Sequence, residues 1–579
     1  MRPLRQRHTG RGAALLLLVA LAGAVGSGAA EHPLVGRVVR DYALAAPDAL
    51  FMPTDVAVAA DGTVYVADGV NHRVAIFDAD GAPRGTFTHV GDQPLANPLG
   101  LHVDAAGQLW ITDAGRGLVL VRGRDGDLVR MVPRPDGAVE LADALPTNDG
   151  RAVWLADNDG HRLWRVTLDD GAATPHGRLG ESLGEYNYPF LLAAAGDDVL
   201  VVDVLNGRVQ RLDGRARVVG AVGAYGVDVG QFYRPKGVAA DATGHVWVSD
   251  GMLNVVQVFT PLGGLRDVLR DELGAPLRLA HPMGLAFDAG GDLYVVELMA
   301  QRVRRIAITR ADRALGPAPA ARRLPAGRAE QCGACTVCHF DWMRPLVDGR
   351  GTELADVPAY DAAHPLVSRS EMCLSCHDGS VGDSRRRVWV EHGHARGIVP
   401  PETVRVPASL PLADGRIECR TCHSAHTAPD RTTVADIVFL RGTDSPTELC
   451  VQCHADYADG AAHGMHPMVT RPRGADAGAS GGAVSCTDCH SGHGAPYAQL
   501  LLDDPRGNNL CLSCHIDVQP TLFGDATRSR HGREPVLDAA QRAVVAGLGT
   551  PLGPGETLLC RTCHAPHHAP VPRQLLAFD

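Results

Sequence analysis

Lysine is almost absent from this chain of 579 residues, because arginine supplies the basic side chains and Lys236 is the single lysine. Cysteine is missing before Cys332, which excludes a lipid-anchored cysteine at an amino-terminal signal. Beyond the first 30 residues no run is apolar for long enough to span a membrane. The net charge of −11 argues against nucleic acid as a general partner.

The first 30 residues have the layout of an export signal. Arginines at positions 2, 5, 7 and 11 precede an apolar run from Ala13 to Val25, and small residues end at Ala30, before Glu31. An uncleaved membrane anchor is the alternative, although the run is short for a span. We therefore expect a signal peptide at 1–30 and a mature protein that is periplasmic or secreted.

The pattern Cys-x-x-Cys-His occurs seven times between residues 335 and 564. This is the attachment signature of c-type haem, since each thiol can form a thioether to one porphyrin and the adjacent histidine is then held under the iron. Seven copies exclude a chance match and predict seven covalently bound haems. The expected attachment cysteines are Cys335, Cys338, Cys373, Cys376, Cys419, Cys422, Cys450, Cys453, Cys486, Cys489, Cys511, Cys514, Cys560 and Cys563. The expected proximal ligands are His339, His377, His423, His454, His490, His515 and His564.

Enough further histidines are present for a second histidine on every iron. The predicted distal ligands are His364, His392, His426, His463, His493, His531 and His567. Three spares remain, which are His394, His466 and His568, and His466 is an alternative to His463. A methionine on one iron would raise its potential, and the candidates, each otherwise a core residue, are Met343, Met372, Met465 and Met468. The pattern does not specify which histidine serves which haem.

Cys332 is the one cysteine outside these motifs. Thr336 follows Cys335 where a histidine would be needed, so Cys332 makes no haem site of its own. A free thiol, an intermolecular link and an unusual third attachment are the alternatives, and we favour a partly buried bystander. The first motif also lacks the later histidine of its counterparts, so we expect its haem to be the irregular one.

Residues 53–308 contain a different repeat, of 43 to 48 residues. A proline-containing turn opens each copy, and a later strand rich in β-branched and aromatic residues ends in an acid. These acids are Asp68, Asp113, Asp157, Asp203, Asp250 and Glu297. Short strands separated by Gly and Asp turns at this period predict four-stranded propeller blades. We interpret the acids as turn residues that accept hydrogen bonds from nearby backbone, rather than as a ring of metal ligands.

The segments Asn71–Val74 and Asn206–Val209, which follow the acid, resemble the NHL repeat family. The resemblance implies a six-bladed propeller, which we place at 31–308. The sixth copy lacks an outer strand, and Pro33–Tyr42 is predicted to supply it and close the ring. Residues 309–331, rich in Pro, Ala and Arg, are expected to form a semi-rigid linker. The propeller histidines follow no shared position, so most are expected on the surface or in packing, and a metal-binding subset at the central channel, as in NHL-like lyases, is the alternative.

Residues 332–579 hold seven motifs in too little chain for a conventional core around each haem. Mostly loops and short helices are therefore expected around porphyrins that form much of the core, and folding should require haem. Three segments combine Cys-x-x-Cys-His, a later His-Gly and Cys-x-x-Cys-His-x-x-His, and they begin at Cys373, Cys450 and Cys511. This order resembles the doubled CXXCH family of multihaem cytochromes.

These features predict a multidomain electron-transfer protein, an all-β propeller followed by a multihaem cytochrome c domain. Two histidines on each iron leave no position for substrate, so a carrier is favoured over a catalyst. A multihaem oxidoreductase with one substrate-accessible haem is the alternative, and a propeller lyase or hydrolase is a weaker one. Expected partners are redox proteins or an extracellular electron acceptor, and a membrane-associated complex would form through protein contacts.

Overall fold

The computed structural model describes residues 32–226, 229–311, 370–385, 394, 397–412, 415–423 and 446–455, and the single residues 486, 490, 493, 539, 542 and 543. The predicted signal peptide, the linker beyond Ala311 and the motifs that begin at Cys335, Cys511 and Cys560 lie outside these residues. Within the described part, no helix is both long and apolar enough to cross a membrane.

Six four-stranded antiparallel sheets form the predicted six-bladed propeller. Blade 1 contains β2 (Val56–Val58), β3 (Val64–Asp68), β4 (Arg73–Phe77) and β5 (Pro83–Phe87). Blade 2 contains β8 (Pro98–Val103), β9 (Leu109–Asp113), β10 (Leu118–Arg122) and β11 (Leu128–Pro133). Blade 3 contains β12 (Leu141–Pro146), β13 (Ala152–Asp157), β14 (Arg162–Thr167) and β15 (Ala173–His176).

The remaining blades repeat this order. Blade 4 contains β16 (Pro189–Ala195), β17 (Asp198–Asp203), β18 (Arg208–Leu212) and β19 (Val218–Val222). Blade 5 contains β20 (Pro235–Ala240), β21 (Val246–Asp250), β22 (Val255–Phe259) and β23 (Leu265–Val268). Blade 6 contains β24 (Pro282–Phe287), β25 (Leu293–Glu297), β26 (Arg302–Arg310) and β1 (Leu34–Tyr42). A small hairpin joins β6 (His89–Val90) to β7 (Gln93–Pro94), and a 3₁₀ turn spans Gly69–Asn71.

The first strand of each blade contacts the first strands of both neighbours, and β24 contacts β2, which completes the ring. The second strands are packed on both faces between adjacent blades, so every residue of β9, β13, β21 and β25 is buried. This is why these strands have continuous runs of β-branched and aromatic residues rather than alternation. Trp154 and Trp247 are among the largest buried side chains, and burying such a side chain contributes about 1.5–3 kcal/mol.

The amino-terminal strand closes the ring as predicted. β1 pairs antiparallel with β26, from Leu34 opposite Arg310 to Tyr42 opposite Val303. Blade 6 therefore has the strand order β1-β26-β25-β24, so β26 is not an open edge. β26 ends two residues beyond the predicted boundary at 308, so the first residues of the predicted linker are strand.

Three short helices lie in the described part of the haem region. They are α1 (Ser370–His377), α2 (Cys419–Cys422) and α3 (Pro446–Val451). The first two contain both cysteines of a Cys-x-x-Cys-His motif, and the third contains the first cysteine, Cys450. Short helices and loops around such motifs agree with the predicted fold class.

Candidate haem centres and the propeller mouth

The six repeated acids act as backbone acceptors, which confirms their interpretation as turn residues. Asp113 accepts hydrogen bonds from the backbone N–H groups of Ala96 and Asn97 at 2.7 and 2.8 Å. Asp250 and Glu297 bind the corresponding loops, Asp250 through Tyr233 and Arg234 and Glu297 through Ala280. Each acid therefore fixes the loop that leads into the first strand of its blade. Among the residues described, no group of three or more His, Cys, Asp or Glu is arranged to hold a metal ion.

These fixed loops form one end of the propeller, at the start of the first strands, which we call the mouth. Met52, Asn97, Asn158, Lys236 and His281 lie there, on blades 1, 2, 3, 5 and 6. The acids hold the loops before these strands, so they set where several mouth side chains lie. The sequence identified the acids, but it did not indicate what the loops would bind.

The second Cys-x-x-Cys-His motif lies on a helix, and its histidine has a hydrogen-bond partner on one ring nitrogen. Helix α1 places Cys373 and Cys376 three residues apart, on one helix face. His377 Nδ1 lies 3.0 Å from Ser384 Oγ, and the Ser384 N–H donates to the His377 carbonyl at 3.2 Å. A partner on one imidazole nitrogen orients the ring and leaves Nε2 for a metal. These residues therefore fit a covalently bound haem, whose iron His377 would ligate.

Three further motifs share this helical turn. The N–H groups of His423, His454 and His490 donate to the carbonyls of Cys419, Cys450 and Cys486, four residues earlier, at 2.9–3.0 Å. Seven of the motif cysteines lie in the described part of the chain. The cysteines concerned are Cys373, Cys376, Cys419, Cys422, Cys450, Cys453 and Cys486.

Two motif histidines each lie close to a histidine that stands outside the motifs. The rings of His423 and His493 are parallel, with 5.6 Å between their centres. The rings of His394 and His454 are 6.0 Å apart and tilted by 55°. His493 is one of the predicted distal ligands, whereas His394 is one of the three spare histidines. The other predicted distal ligands lie outside the described residues, and they are His364, His392, His426, His463, His531 and His567.

Residues 378–385, which directly follow His377, enter the mouth of the propeller, and we call this segment the plug. The Asp378 carboxylate is buried between Lys236 Nζ and His281 Nε2, both 2.8 Å from Oδ2. Lys236 also donates to the Ser375 carbonyl at 2.6 Å and to Ser380 Oγ. His281 is thus an exception among the propeller histidines, since it binds the haem region.

The opposite end of the plug is held by Arg385, which is completely buried. Its guanidinium donates to the Met52 carbonyl at 3.0 Å and to Asp383 at 2.7 Å. Asn97 Nδ2 donates to Asp383 at 3.0 Å. Asn158 Nδ2 donates to the Ser380 carbonyl, also at 3.0 Å.

Apolar contacts and a glycine complete this fit. Leu374, inside the haem motif, is 3% exposed and belongs to the same core cluster as the propeller residues Leu99 and Met283. Val381 packs against that cluster. Gly379 has a φ of 100°, a conformation that favours glycine.

The two carboxylates of the plug are each compensated by a neighbouring cation. Burial alone would raise the pKa of Asp378, but the Lys236 charge and the His281 hydrogen bond lower it well below its usual range. Burial also opposes ionisation of Asp383, and Arg385 lowers the pKa of that carboxyl. Nearby, burial and the charges of Asp159 and Asp383 raise the pKa of Glu140 to about 7.

Two protein families match parts of the chain. The doubled CXXCH motif family matches residues 410–459 and 478–519, and the NHL repeat family matches residues 52–77. With the six blades, these matches confirm the predicted fusion of an NHL-type propeller to a doubled CXXCH region. Doubled CXXCH motifs indicate covalently bound c-type haem.

Similarity to individual proteins is confined to part of the chain. The E3 ubiquitin-protein ligase TRIM32 of Homo sapiens is 24% identical over 291 residues, 43% of this chain and 41% of that protein. Virginiamycin B lyase of Nocardia farcinica (strain IFM 10152) is 31% identical over 216 residues, 36% of this chain and 66% of that protein. The chain thus spans about two fifths of the length of the first of these relatives. A solved streptogramin B lyase structure is 14% identical, covers 48% of this chain and 98% of its own, and has a TM-score of 0.37.

Proposed function

We propose that this chain, an NHL-repeat propeller joined to doubled CXXCH motifs, is an exported heptahaem c-type cytochrome that carries electrons along mainly bis-histidine haems. The geometry of the second motif carries the proposal, because its two thiols share a helix face and Ser384 orients the ring of His377. The haems supply reversible one-electron chemistry when bound. The chain's own residues attach them, ligate the irons and exclude solvent.

The paired histidines favour a carrier over a catalyst. A histidine nitrogen lies about 2 Å from a bound metal ion, so two imidazoles on opposite sides of one ion have ring centres roughly 6 Å apart. The His423–His493 and His394–His454 separations of 5.6 and 6.0 Å fit this arrangement. We therefore assign His493 to the haem of His423 and His394 to the haem of His454. Irons held in this way would keep no position for substrate.

The predicted signal peptide at 1–30 supports a periplasmic or secreted location, where c-type haem is attached. The partners we propose are redox proteins or an extracellular electron acceptor, with any membrane-associated complex formed through protein contacts. The propeller serves as a docking or assembly module.

Intact-mass measurement and spectroscopy of the holoprotein test this proposal. We expect a mass increment for seven haems and low-spin electron paramagnetic resonance signals from nearly all irons. A native high-spin haem that binds carbon monoxide would instead favour a multihaem oxidoreductase. His493→Ala should create one additional haem that binds carbon monoxide, while His89→Ala, on the exposed surface of the propeller, should create none. Carbon monoxide binding that is unchanged in His493→Ala would refute the His423–His493 pairing.

A further inference from the structure

We infer that the mouth of the propeller is a receptor for the plug. The propeller thereby holds the second haem unit of its own chain, which comprises α1 and the plug, at a fixed position. This deepens the docking role proposed above by naming the bound partner. The evidence is the set of contacts between the two parts of the chain, which stands without any assumption about electron flow.

The position of the plug points to a receptor. Its polar contacts come from blades 1, 2, 3, 5 and 6, through Met52, Asn97, Asn158, Lys236 and His281. A segment lying on the outer rim would contact only neighbouring blades. Contacts with five blades place the plug over the central axis, where the first strands converge.

The chemistry of Lys236 is matched to this role. An ammonium group has three donors on a compact head, whereas a guanidinium is a planar fork. Lys236 is completely buried, and its three partners, the Asp378 carboxylate, the Ser375 carbonyl and the Ser380 hydroxyl, all belong to the haem unit. The single lysine of an arginine-rich chain therefore binds the segment that starts next to His377, a predicted iron ligand.

The apolar and polar contacts with the propeller hold the same stretch of chain, from the motif helix α1 into the plug. Leu374 lies between the two attachment cysteines and is buried against the propeller core. Asp378 is the next residue after His377, and Ser384 within the plug contacts the His377 ring. Seating the plug therefore fixes the haem motif itself, on both sides of its histidine. With the plug seated, this entrance to the channel is filled, which argues against a lyase or hydrolase site at the mouth.

The test is whether the two parts remain bound after the chain is cut between them. A specific protease site is introduced within residues 312–331 of the full-length holoprotein, and the cut protein is passed over a size-exclusion column at micromolar concentration. We expect the haem-containing fragment to co-elute with the propeller. Separation of the wild-type fragments under these conditions would overturn the inference.

Substitutions in the plug give the decisive comparison, since they leave the propeller sequence intact. Leaving one member of a buried ion pair uncompensated is strongly unfavourable, so Asp378→Asn and Arg385→Ala should each weaken association of the cut fragments about 100-fold or more. The matched control is Arg416→Ala, because Arg416 is an exposed arginine of the haem region that donates to the Gly397 carbonyl. It should leave association unchanged.

Haem count by mass is measured for each variant, so that a failure of haem attachment is recognised. Only variants that carry the wild-type number of haems are compared. Association of fully loaded Asp378→Asn and Arg385→Ala that equals that of the control would overturn the inference. Spin states of the uncut protein are recorded separately, and they decide the electron-transfer proposal whatever the binding result.

Discussion

Tyr42 connects the first and last blades of the propeller, and substitution of this residue should weaken the closure of the ring. The side chain is completely buried at the end of β1. Its hydroxyl donates to the Ala79 carbonyl at 2.9 Å, and its ring lies edge-on to Phe77 with 5.8 Å between centres. It also packs against Tyr294 at 5.5 Å. One side chain from the closing strand thus contacts both blade 1 and blade 6.

Two substitutions separate the contributions of the ring and the hydroxyl. Tyr42→Ala removes a buried aromatic ring, for which a loss of about 3–5 kcal/mol is expected. Tyr42→Phe removes the hydrogen bonds of the hydroxyl to the Ala79 carbonyl and to the Tyr294 hydroxyl, which should cost about 0.5–1.5 kcal/mol. Arg37→Ala is the control, because Arg37 is exposed on the same strand and a surface change should stay within about 0.5 kcal/mol.

Hydrogen exchange of the full-length holoprotein, read on amides of β1 and β26, measures this closure directly. If β1 detaches locally, exchange in Tyr42→Ala should accelerate by roughly 10²–10³, since about 1.4 kcal/mol corresponds to a factor of ten. Tyr42→Phe should show an acceleration of about tenfold or less. Equal exchange rates in Tyr42→Ala and Arg37→Ala would show that the closing strand is held by other contacts and would refute this reasoning.

Two other predictions concern buried carboxyl groups of the propeller. Asp203 accepts hydrogen bonds from the Asn187 N–H and from Arg208. Asp203→Ala should therefore destabilise the propeller by about 3 kcal/mol, and Asp203→Asn should destabilise it by less. Calorimetry that ranks the two variants in the opposite order would contradict this prediction. The pKa of Glu140 is raised from 4.5 to about 7, so the stabilisation from its protonated form is complete below pH 4.5 and is lost as pH rises to about 7. Glu140→Gln should therefore be more stable than the wild type by about 1–3 kcal/mol at pH 8 and equal to it near pH 4; parallel profiles of melting temperature against pH would exclude this.

Much of the propeller was predictable because its determinants are local and repeated. The acid-ending strands from Val64–Asp68 to Leu293–Glu297 were recognised from turns and β-branched runs, and they appear at those positions. The closing role of residues 33–42 followed from counting strands, because one blade lacked an outer strand. The turn function of Asp113 and its equivalents followed from repetition alone, since a specific site would not recur in every blade.

The candidate haem sites were only partly predictable. The spacing of the two cysteines and the histidine defines attachment within five residues, so those positions needed no tertiary information. The distal histidine ligands could not be paired with haems from such a local pattern. From the sequence, His394 is only a spare histidine and the haem served by His493 is not specified, whereas the structure places them beside His454 and His423. The sequence contains enough histidines for two on each iron, but which two histidines share an iron depends on how segments distant in the sequence pack together.

The sequence by itself determined the blades, the closure of the ring and the covalent haem motifs, because each depends on patterns spanning a few residues or one repeat. Only the tertiary structure decided that Lys236 meets Asp378 and Ser380 and that Arg385 meets Met52. The latter contact joins residues 333 positions apart. No periodicity relates the two segments. The sequence predicts a proline-containing turn at Lys236, which the structure places in β20 instead, and an isolated lysine in a predicted turn resembles any other turn residue. Burial of complementary charges at the centre of the ring makes that contact specific, and this burial exists only once the six blades and the haem segment have come together.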